Sequence, residues 1–293
     1  MPRLPQNFGL LPLELADPAR ARVAVLPVPF ERTTSYGKGT IAGPDALLRA
    51  SHALELYDEE LACEPAQVGI ATAEPFVPQA HELSTALREI EAECQSWMAT
   101  EKFLVTLGGE HSLSLAPARA ARAVFGELGI VQFDAHADLR EEFEGTPYSH
   151  ACVMRRLQEE GFPILSIGIR SLSREEAEFV RANQPPILWG HELESAESRV
   201  PSLLQLLPPR VYLTFDVDFF DPSLLPATGT PEPGGGWWYP TLRLLRMIFE
   251  TKQVVASDVV ELAPIGGQPA SDFVAAKLTY KLIGYWARSR GLI

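Results

Sequence analysis

GIVQFDAHADLR, residues 129–140, sets an apolar run directly against two carboxylates and an imidazole. The run is short, apolar and without the alternation of a half-exposed strand, so it reads as a strand covered on both faces. A chain leaving its core after Phe133 needs only Gly, Asn or Ser to turn. Asp134, His136 and Asp138 instead put ionisable groups at the edge of buried surface. That costs free energy unless a partner compensates for it.

Outward from this stretch, five further runs share its character: residues 21–27 (ARVAVLP), 103–107 (FLVTL), 164–169 (ILSIGI), 211–215 (VYLTF) and 254–260 (VVASDVV). Helical patterns lie between them, at residues 44–56, 80–98, 112–125, 150–159, 174–182, 198–206, 239–250 and 272–289. Pro44 after Gly43 suits a helix start. Leu83, Leu87, Ile90 and Cys94 recur near a 3.6-residue period. Strand–helix alternation predicts an α/β fold with a mostly parallel sheet and helices on both faces. Ligands then bind at the carboxyl ends of the strands.

Three of those ends are polar clusters. Residues 103–107 run into Gly108-Gly109-Glu110-His111-Ser112, and residues 211–215 into Asp216-Val217-Asp218. In extended chain, alternate residues point the same way. Asp134, His136 and Asp138 then converge, as do Asp216 and Asp218. With His111 they make four carboxylates and two imidazoles. So many carboxylates repel one another or take up protons unless cations intervene. Six residues exceed the needs of one ion, so two divalent ions with bridging carboxylates are expected. A Cys-free set suits Mn²⁺ better than structural Zn²⁺, with Zn²⁺, Co²⁺ and Fe²⁺ left open. Gly108-Gly109 lacks the Lys-Ser/Thr of a phosphate loop. His150, at a helix start, and Glu261, at the end of residues 254–260, are further candidates. His52, His81 and His191 have no such setting.

The 293 residues are 46% hydrophobic and 22% charged, with no linker or repeat dividing them. One domain over residues 1–293 is expected. A net charge of −13 disfavours nucleic acid and is compatible with a cationic ligand. Three cysteines without CxxC spacing give neither a disulfide framework nor a thiolate metal site, which fits a reducing cytoplasm. The N-terminal MPRLPQNFGLLPLELADP has neither a basic start nor a continuous apolar core, and no run reaches membrane-spanning length. Asn7 and Asn183 are the only asparagines, against 25 Pro, a bias that fits a heat-adapted protein and that genomic base composition also produces.

GGEHS, FDAHADLR, YSHACVMRR, TFDVDFFDPS, ATGTPEPGGG and VVELAP, in that order, resemble the ureohydrolase family, which includes arginase and agmatinase. PFERTTSYGKGTIAGPDALLRAS, residues 29–51, looks like the agmatinase N-terminal signature. The resemblance implies a three-layer α/β/α fold around an eight-stranded, mostly parallel sheet, and two Mn²⁺ per subunit. One ion would be held by His111, Asp134, Asp138 and Asp216, the other by Asp134, His136, Asp216 and Asp218, with Asp134 and Asp216 bridging. It implies attack of a metal-activated water on a guanidinium carbon, releasing urea and an amine. Asp138 would accept a hydrogen bond from the nucleophile and relay its proton. His150 would carry a proton to the leaving amine. Glu261 would pair with the guanidinium, so Glu261 and His150 are the expected substrate-binding residues.

Residues 141–149, EEFEGTPYS, hold three Glu and no Asn where arginases resemble one another in Asn and Ser. Acidic residues there disfavour a substrate carboxylate and welcome a distal amine. Agmatine, yielding putrescine and urea, is the first expectation. N(1)-aminopropylagmatine, yielding spermidine and urea, is the alternative, followed by guanidinobutyrate, guanidinopropionate or arginine. Trp237 and Trp238, after PEPGGG, either serve packing or a subunit contact or line the mouth of the site and hold a cation over their rings. A homotrimer or homohexamer is expected by the same resemblance.

Overall fold

The computed structural model describes residues 7–293. Residues 1–6, part of the expected domain and of the N-terminal stretch quoted above, lie outside the described residues. Eight strands form one sheet: β1 Val23–Val28, β2 Ile70–Thr72, β3 Phe103–Gly108, β4 Gly129–Phe133, β5 Ile164–Ile169, β6 Ile187–Trp189, β7 Arg210–Asp216 and β8 Gln253–Val260. Every pairing is parallel, in the order β2-β1-β3-β8-β7-β4-β5-β6. The six apolar runs are the six inner strands. The edge strands β2 and β6 have three residues each, too few to stand out as runs.

Helices connect the strands: α1 Leu13–Ala16, α2 Gly43–Ser51, α3 Leu83–Met98, α4 Leu115–Phe125, α5 Val153–Glu159, α6 Arg174–Asn183, α7 Ala196–Leu204, α8 Trp238–Thr251 and α9 Ala270–Ser289. The eight expected helices are present. The one expected over residues 44–56 stops at Ser51, where the chain tightens into i→i+3 bonds at His52, Ala53 and Leu54. The sheet's two faces pack against different helices. Val23 and Val25 of β1 join a core built with α2, α7, α8 and α9. Ala24, Leu26 and Val28 join another built with α3, α4 and α5. This double coverage is why the strands carry no polar alternation.

The order places β3, β8, β7 and β4 side by side at the sheet's centre. Their carboxyl ends are those that run into His111, Glu261, Asp216 and Asp134. Below that point Phe133 and Phe215 stack at 5.1 Å, and Phe219 meets Phe133 edge-on at 5.0 Å. These rings give the polar cluster a packed apolar support. Gly109 lets the chain leaving β1 pass the end of β3. A Cβ there would lie 1.9 Å from the carbonyl oxygen of Phe30. That carbonyl accepts from Glu110 N at 2.8 Å.

Candidate active site

The convergence expected from strand alternation arises by a different route. β4 ends at Phe133, and Asp138 has φ +52°, so residues 134–138 are not extended chain. Asp216 ends β7, and Asp218 sits in a single 3₁₀ turn, Val217–Phe219. Glu261 follows β8 with φ +65°. Left-handed backbone at a non-glycine residue is uncommon and costs free energy. Here it occurs at two residues that face the cluster.

Two groups form. His111 Nδ1 lies 3.0 Å from Asp134 Oδ2, 3.0 Å from Asp138 Oδ2 and 3.4 Å from Asp216 Oδ2. His136 Nδ1 lies 2.9 Å from Asp218 Oδ2 and 3.7 Å from Asp134 Oδ1. The ligand atoms of His111, Asp134 and Asp216 fall within 4.8 Å of one another, as do those of Asp134, His136 and Asp218. Asp134 belongs to both triads. Asp216 belongs to the first only, and Asp138 stands beside it.

Backbone donors hold the carboxylates. Asp134 Oδ1 accepts from His136 N (2.6 Å), Asp216 Oδ1 from Asp218 N (2.8 Å) and Asp218 Oδ1 from Ala135 N (3.0 Å). Gln132 Nε2 donates to Asp134 Oδ2 at 2.8 Å. The orientation of His111 is set from behind. Its Nε2 is 2.9 Å from Thr214 Oγ1, which is 2.7 Å from Asp258 Oδ1. The hydroxyl proton goes to the carboxylate, so Thr214 accepts from His111 Nε2–H. That leaves Nδ1, facing the three aspartates, as the nitrogen open to a cation once its proton is displaced.

Protonation follows from this crowding. Burial and repulsion from Asp134 push Asp138 up to about 7. Burial, with Asp218 and Asp134 nearby, holds Asp216 well above the carboxylate range. Burial opposes a charge on His111, yet Asp134, Asp138 and Asp216 raise it well above its usual value. Burial likewise opposes ionisation of Asp134, but bonds from His111 and His136 hold it low. The side chains alone thus carry their charge by taking up protons, and divalent cations replace those protons. His111 Nδ1 is buried without a hydrogen-bond partner that fits its geometry, although three carboxylates surround it. An orphaned nitrogen among carboxylate oxygens fits a divalent cation at the triads.

Of the eight residues singled out in the sequence, seven line one cavity of about 340 Å³: His111, His136, Asp138, His150, Asp216, Asp218 and Glu261. Asp134 lies beneath it, fully buried. Glu261 Oε1 accepts from His111 N at 2.6 Å. Burial, with Glu110 close by, holds its carboxyl well above the usual range. The remaining wall was not read from the sequence. Thr34, Ser35, Tyr36 and Gly37 form one side. Gly37 N donates to Gly229 O at 3.1 Å, and a Cβ on Gly37 would sit 2.6 Å from that oxygen. The segment signalled itself only through its likeness to a family signature. Glu176 and Glu232 also line the cavity. Arg170 Nη2 donates to the carbonyls of Asp218 (2.7 Å) and Glu232 (2.8 Å), tying that wall to a ligand.

One expectation needs correction. From the acidic loop, residues 141–149, it is Phe143 that reaches the cavity, with Arg140 from just before it. Glu141, Glu142 and Glu144 are exposed, because the short Phe143–Thr146 bridge turns Phe143 inward and its neighbours out. The cavity's other carboxylates are Glu176, which accepts from Leu139 N and Ser173 N, and Glu232, which accepts from Ser171 Oγ. Trp237 and Trp238 do not line it either. Trp238 packs on Phe220 at the start of α8, and Trp237 borders a separate depression with His191 and Leu193.

Known proteins share this architecture. The Arginase family model matches residues 21–284. An N(1)-aminopropylagmatine ureohydrolase of Synechocystis sp. is 42% identical, covering 93% of this chain and 91% of its own. An agmatinase of Pyrococcus horikoshii is 35% identical, over 94% and 96%. The crystal structure of the agmatine ureohydrolase of Thermoplasma volcanium superposes with a TM-score of 0.85 at 29% identity, over 96% and 97%. With a matching eight-stranded fold, a shared-aspartate cluster at its centre and relatives aligned end to end, the chain belongs to the arginase family of ureohydrolases.

Proposed function

We propose that this hydrolase of the agmatinase type cleaves the guanidino group of a linear cationic amine to urea, with two Mn²⁺ per chain. One observation carries the proposal. Two carboxylate–imidazole triads share Asp134 beneath a cavity whose wall holds Glu261. His111, Asp134, Asp138 and Asp216 would hold one ion, and Asp134, His136, Asp216 and Asp218 the other. The bound ions supply a water of lowered pKa at neutral pH. The chain's own residues do the rest. Glu261, anchored at Oε1 by His111 N, turns Oε2 toward Gly229 and the cavity. There it accepts from a guanidinium fork and orients the carbon. Asp138 takes the proton released as the nucleophile adds. His150 delivers a proton to the departing amine.

Two further carboxylates line the cavity: Glu176, engaged by two backbone N–H groups and near Arg140, and Glu232, with one oxygen bonded to Ser171 Oγ; Glu232 favours a substrate with a distal ammonium over one with a carboxylate. Sequence alone puts agmatine first. The relative named for N(1)-aminopropylagmatine is 42% identical, against 35% for the agmatinase. We therefore take the longer amine as the preferred substrate and agmatine as the second reading. Urea release from the Mn²⁺-loaded protein, with both amines, arginine and guanidinobutyrate in competition, tests this. Turnover of both amines, with higher kcat/KM for the longer, is expected. Preference for a guanidino acid overturns the substrate class, and no urea from any guanidine overturns the activity.

The same reading includes one domain, a cytoplasmic setting and a homotrimer or homohexamer, for which light scattering is the check. No helix among the described residues is long and apolar enough to cross a membrane.

A further inference from the structure

Glu110, between Gly109 and the ligand His111, has no part in the scheme above, yet its side chain is fully buried. Its Oε2 accepts from Arg32 N (2.5 Å) and Thr33 N (2.6 Å). Its Oε1 accepts from Thr33 Oγ1 (2.7 Å) and Ser112 Oγ (2.5 Å). With both backbone donors on Oε2, Oε1 is left to accept from the two hydroxyls. The hydroxyl proton of Thr33 is therefore committed to Glu110. A hydroxyl has one donor and two acceptor positions. The acceptor positions of Thr33 Oγ1 meet His150 twice, at the backbone N (3.0 Å) and at the ring Nδ1 (3.2 Å).

We infer that Glu110 and Thr33 form a relay that fixes His150 as the Nδ1–H tautomer and leaves Nε2 as its working nitrogen. The inference rests on the proposed role of His150. Thr33 cannot donate to Nδ1 without abandoning Glu110, so Nδ1 must carry the proton. Nε2 is then the nitrogen that takes up and gives the transferred proton. Phe143, edge-on to the imidazole at 5.8 Å, limits its rotation. Ser149 Oγ, 3.3 Å from Nδ1, is the competing contact. Glu110 and Thr33 are positioning residues: neither lines the cavity, and Thr33 Oγ1 touches His150 directly. The relay also explains why the segment after β1 crosses the site: it brings Thr33 between two parts of the chain far apart in sequence.

The test is nitrogen-15 NMR of the histidine-labelled full chain loaded with diamagnetic Mg²⁺ or Zn²⁺. The His150 signal is assigned by its loss in His150→Asn. The wild type and Ser149→Ala should carry the proton on Nδ1, and Thr33→Ser should retain it. Thr33→Val should release the preference. Glu110→Gln should reverse it. The amide oxygen must meet the two backbone N–H groups, so the amide NH₂ meets Thr33, whose hydroxyl then turns its proton to Nδ1. A wrong histidine tautomer costs about 10⁴-fold in kcat where a carboxylate touches the ring directly. Through an intervening hydroxyl, a fall of roughly 10-fold or more in kcat is expected for Glu110→Gln, with KM within about threefold. An Nε2–H tautomer in the wild type overturns the relay. So does a tautomer unchanged in both Thr33→Val and Glu110→Gln, or one that follows Ser149→Ala. A reversed tautomer with unchanged kcat supports the relay and overturns the role proposed for His150, so the two failures are distinct.

Discussion

Thr214→Val removes one oxygen and almost no volume, and besides a long 3.4 Å contact with Ser114 Oγ that oxygen makes two close bonds. It accepts from His111 Nε2 at 2.9 Å and donates to Asp258 Oδ1 at 2.7 Å. Asp258 keeps Tyr212 Oη at 2.6 Å and Phe215 N at 3.3 Å, so its carboxyl is not stranded. His111, 1% exposed, loses its partner at Nε2. A buried N–H without an acceptor costs about 1–3 kcal/mol. The ring escapes that cost by moving its proton to Nδ1, the nitrogen that faces the cation. Either way the first triad binds more weakly, by about 10- to 100-fold, or roughly 1.4–2.8 kcal/mol. The second site shares Asp134, and in the proposed ligand set Asp216, with the first, so it should weaken too, but by less than the first. Titration of free Mn²⁺ by EPR separates the two sites. Unchanged affinity at both, or an equal loss at both, refutes the orienting role of Thr214.

Cation binding should release more than one proton per chain near pH 6, because, against the effect of burial, neighbouring carboxylates raise His111 and His136 well above the imidazole range, and burial raises Asp138 to about 7 in the metal-free site. With Asp138 raised to about 7, its folded value lies above the unfolded one. Its contribution to metal-free stability is therefore full below pH 4 or so and lost as pH rises through 7. Its share of the proton release should vanish over the same upper range. Calorimetry in buffers of different ionisation enthalpy measures the release, and a pH-independent count contradicts the assignment. Glu261→Gln should raise KM by about 10-fold or more through loss of a charged partner for the guanidinium. An unchanged KM removes Glu261 from substrate binding. Trp237→Ala should leave kcat and KM within about twofold, since the ring lies outside the cavity. The scarcity of Asn and abundance of Pro lead us to expect thermal unfolding well above the ordinary range of about 45–65 °C; a midpoint within it contradicts heat adaptation.

The inner strands were legible because burial on both faces writes itself as unbroken apolar residues. The edge strands Ile70–Thr72 and Ile187–Trp189 offer too few residues for any pattern. The cluster was legible because carboxylates and imidazoles at strand ends are costly without a purpose. Its detailed geometry was not: Asp138 and Asp218 reach the site from a left-handed residue and a 3₁₀ turn, not from extended chain. Glu176 was hidden as an ordinary helix start, where it forms a capping box with Ser173. Thr214, Asp258, Thr33 and Glu110 were hidden for another reason. Thr33 and Glu110 lie 77 positions apart, and Thr214 and Asp258 lie 44 apart. Only the parallel pairing of β1 with β3 and β7 with β8 makes them neighbours. The exposed Glu of residues 141–144 misled because composition does not tell which way a loop turns.

The proposed two-metal hydrolase turns on Asp134 serving two cations at once. Low-temperature EPR of the chain titrated with Mn²⁺ reads that directly. Two Mn²⁺ per chain should bind and give the multiline spectrum of an exchange-coupled pair, replaced in Asp134→Asn by the spectrum of isolated ions at reduced occupancy. One Mn²⁺ per chain at saturation, or two ions without exchange coupling, would contradict the shared-carboxylate site.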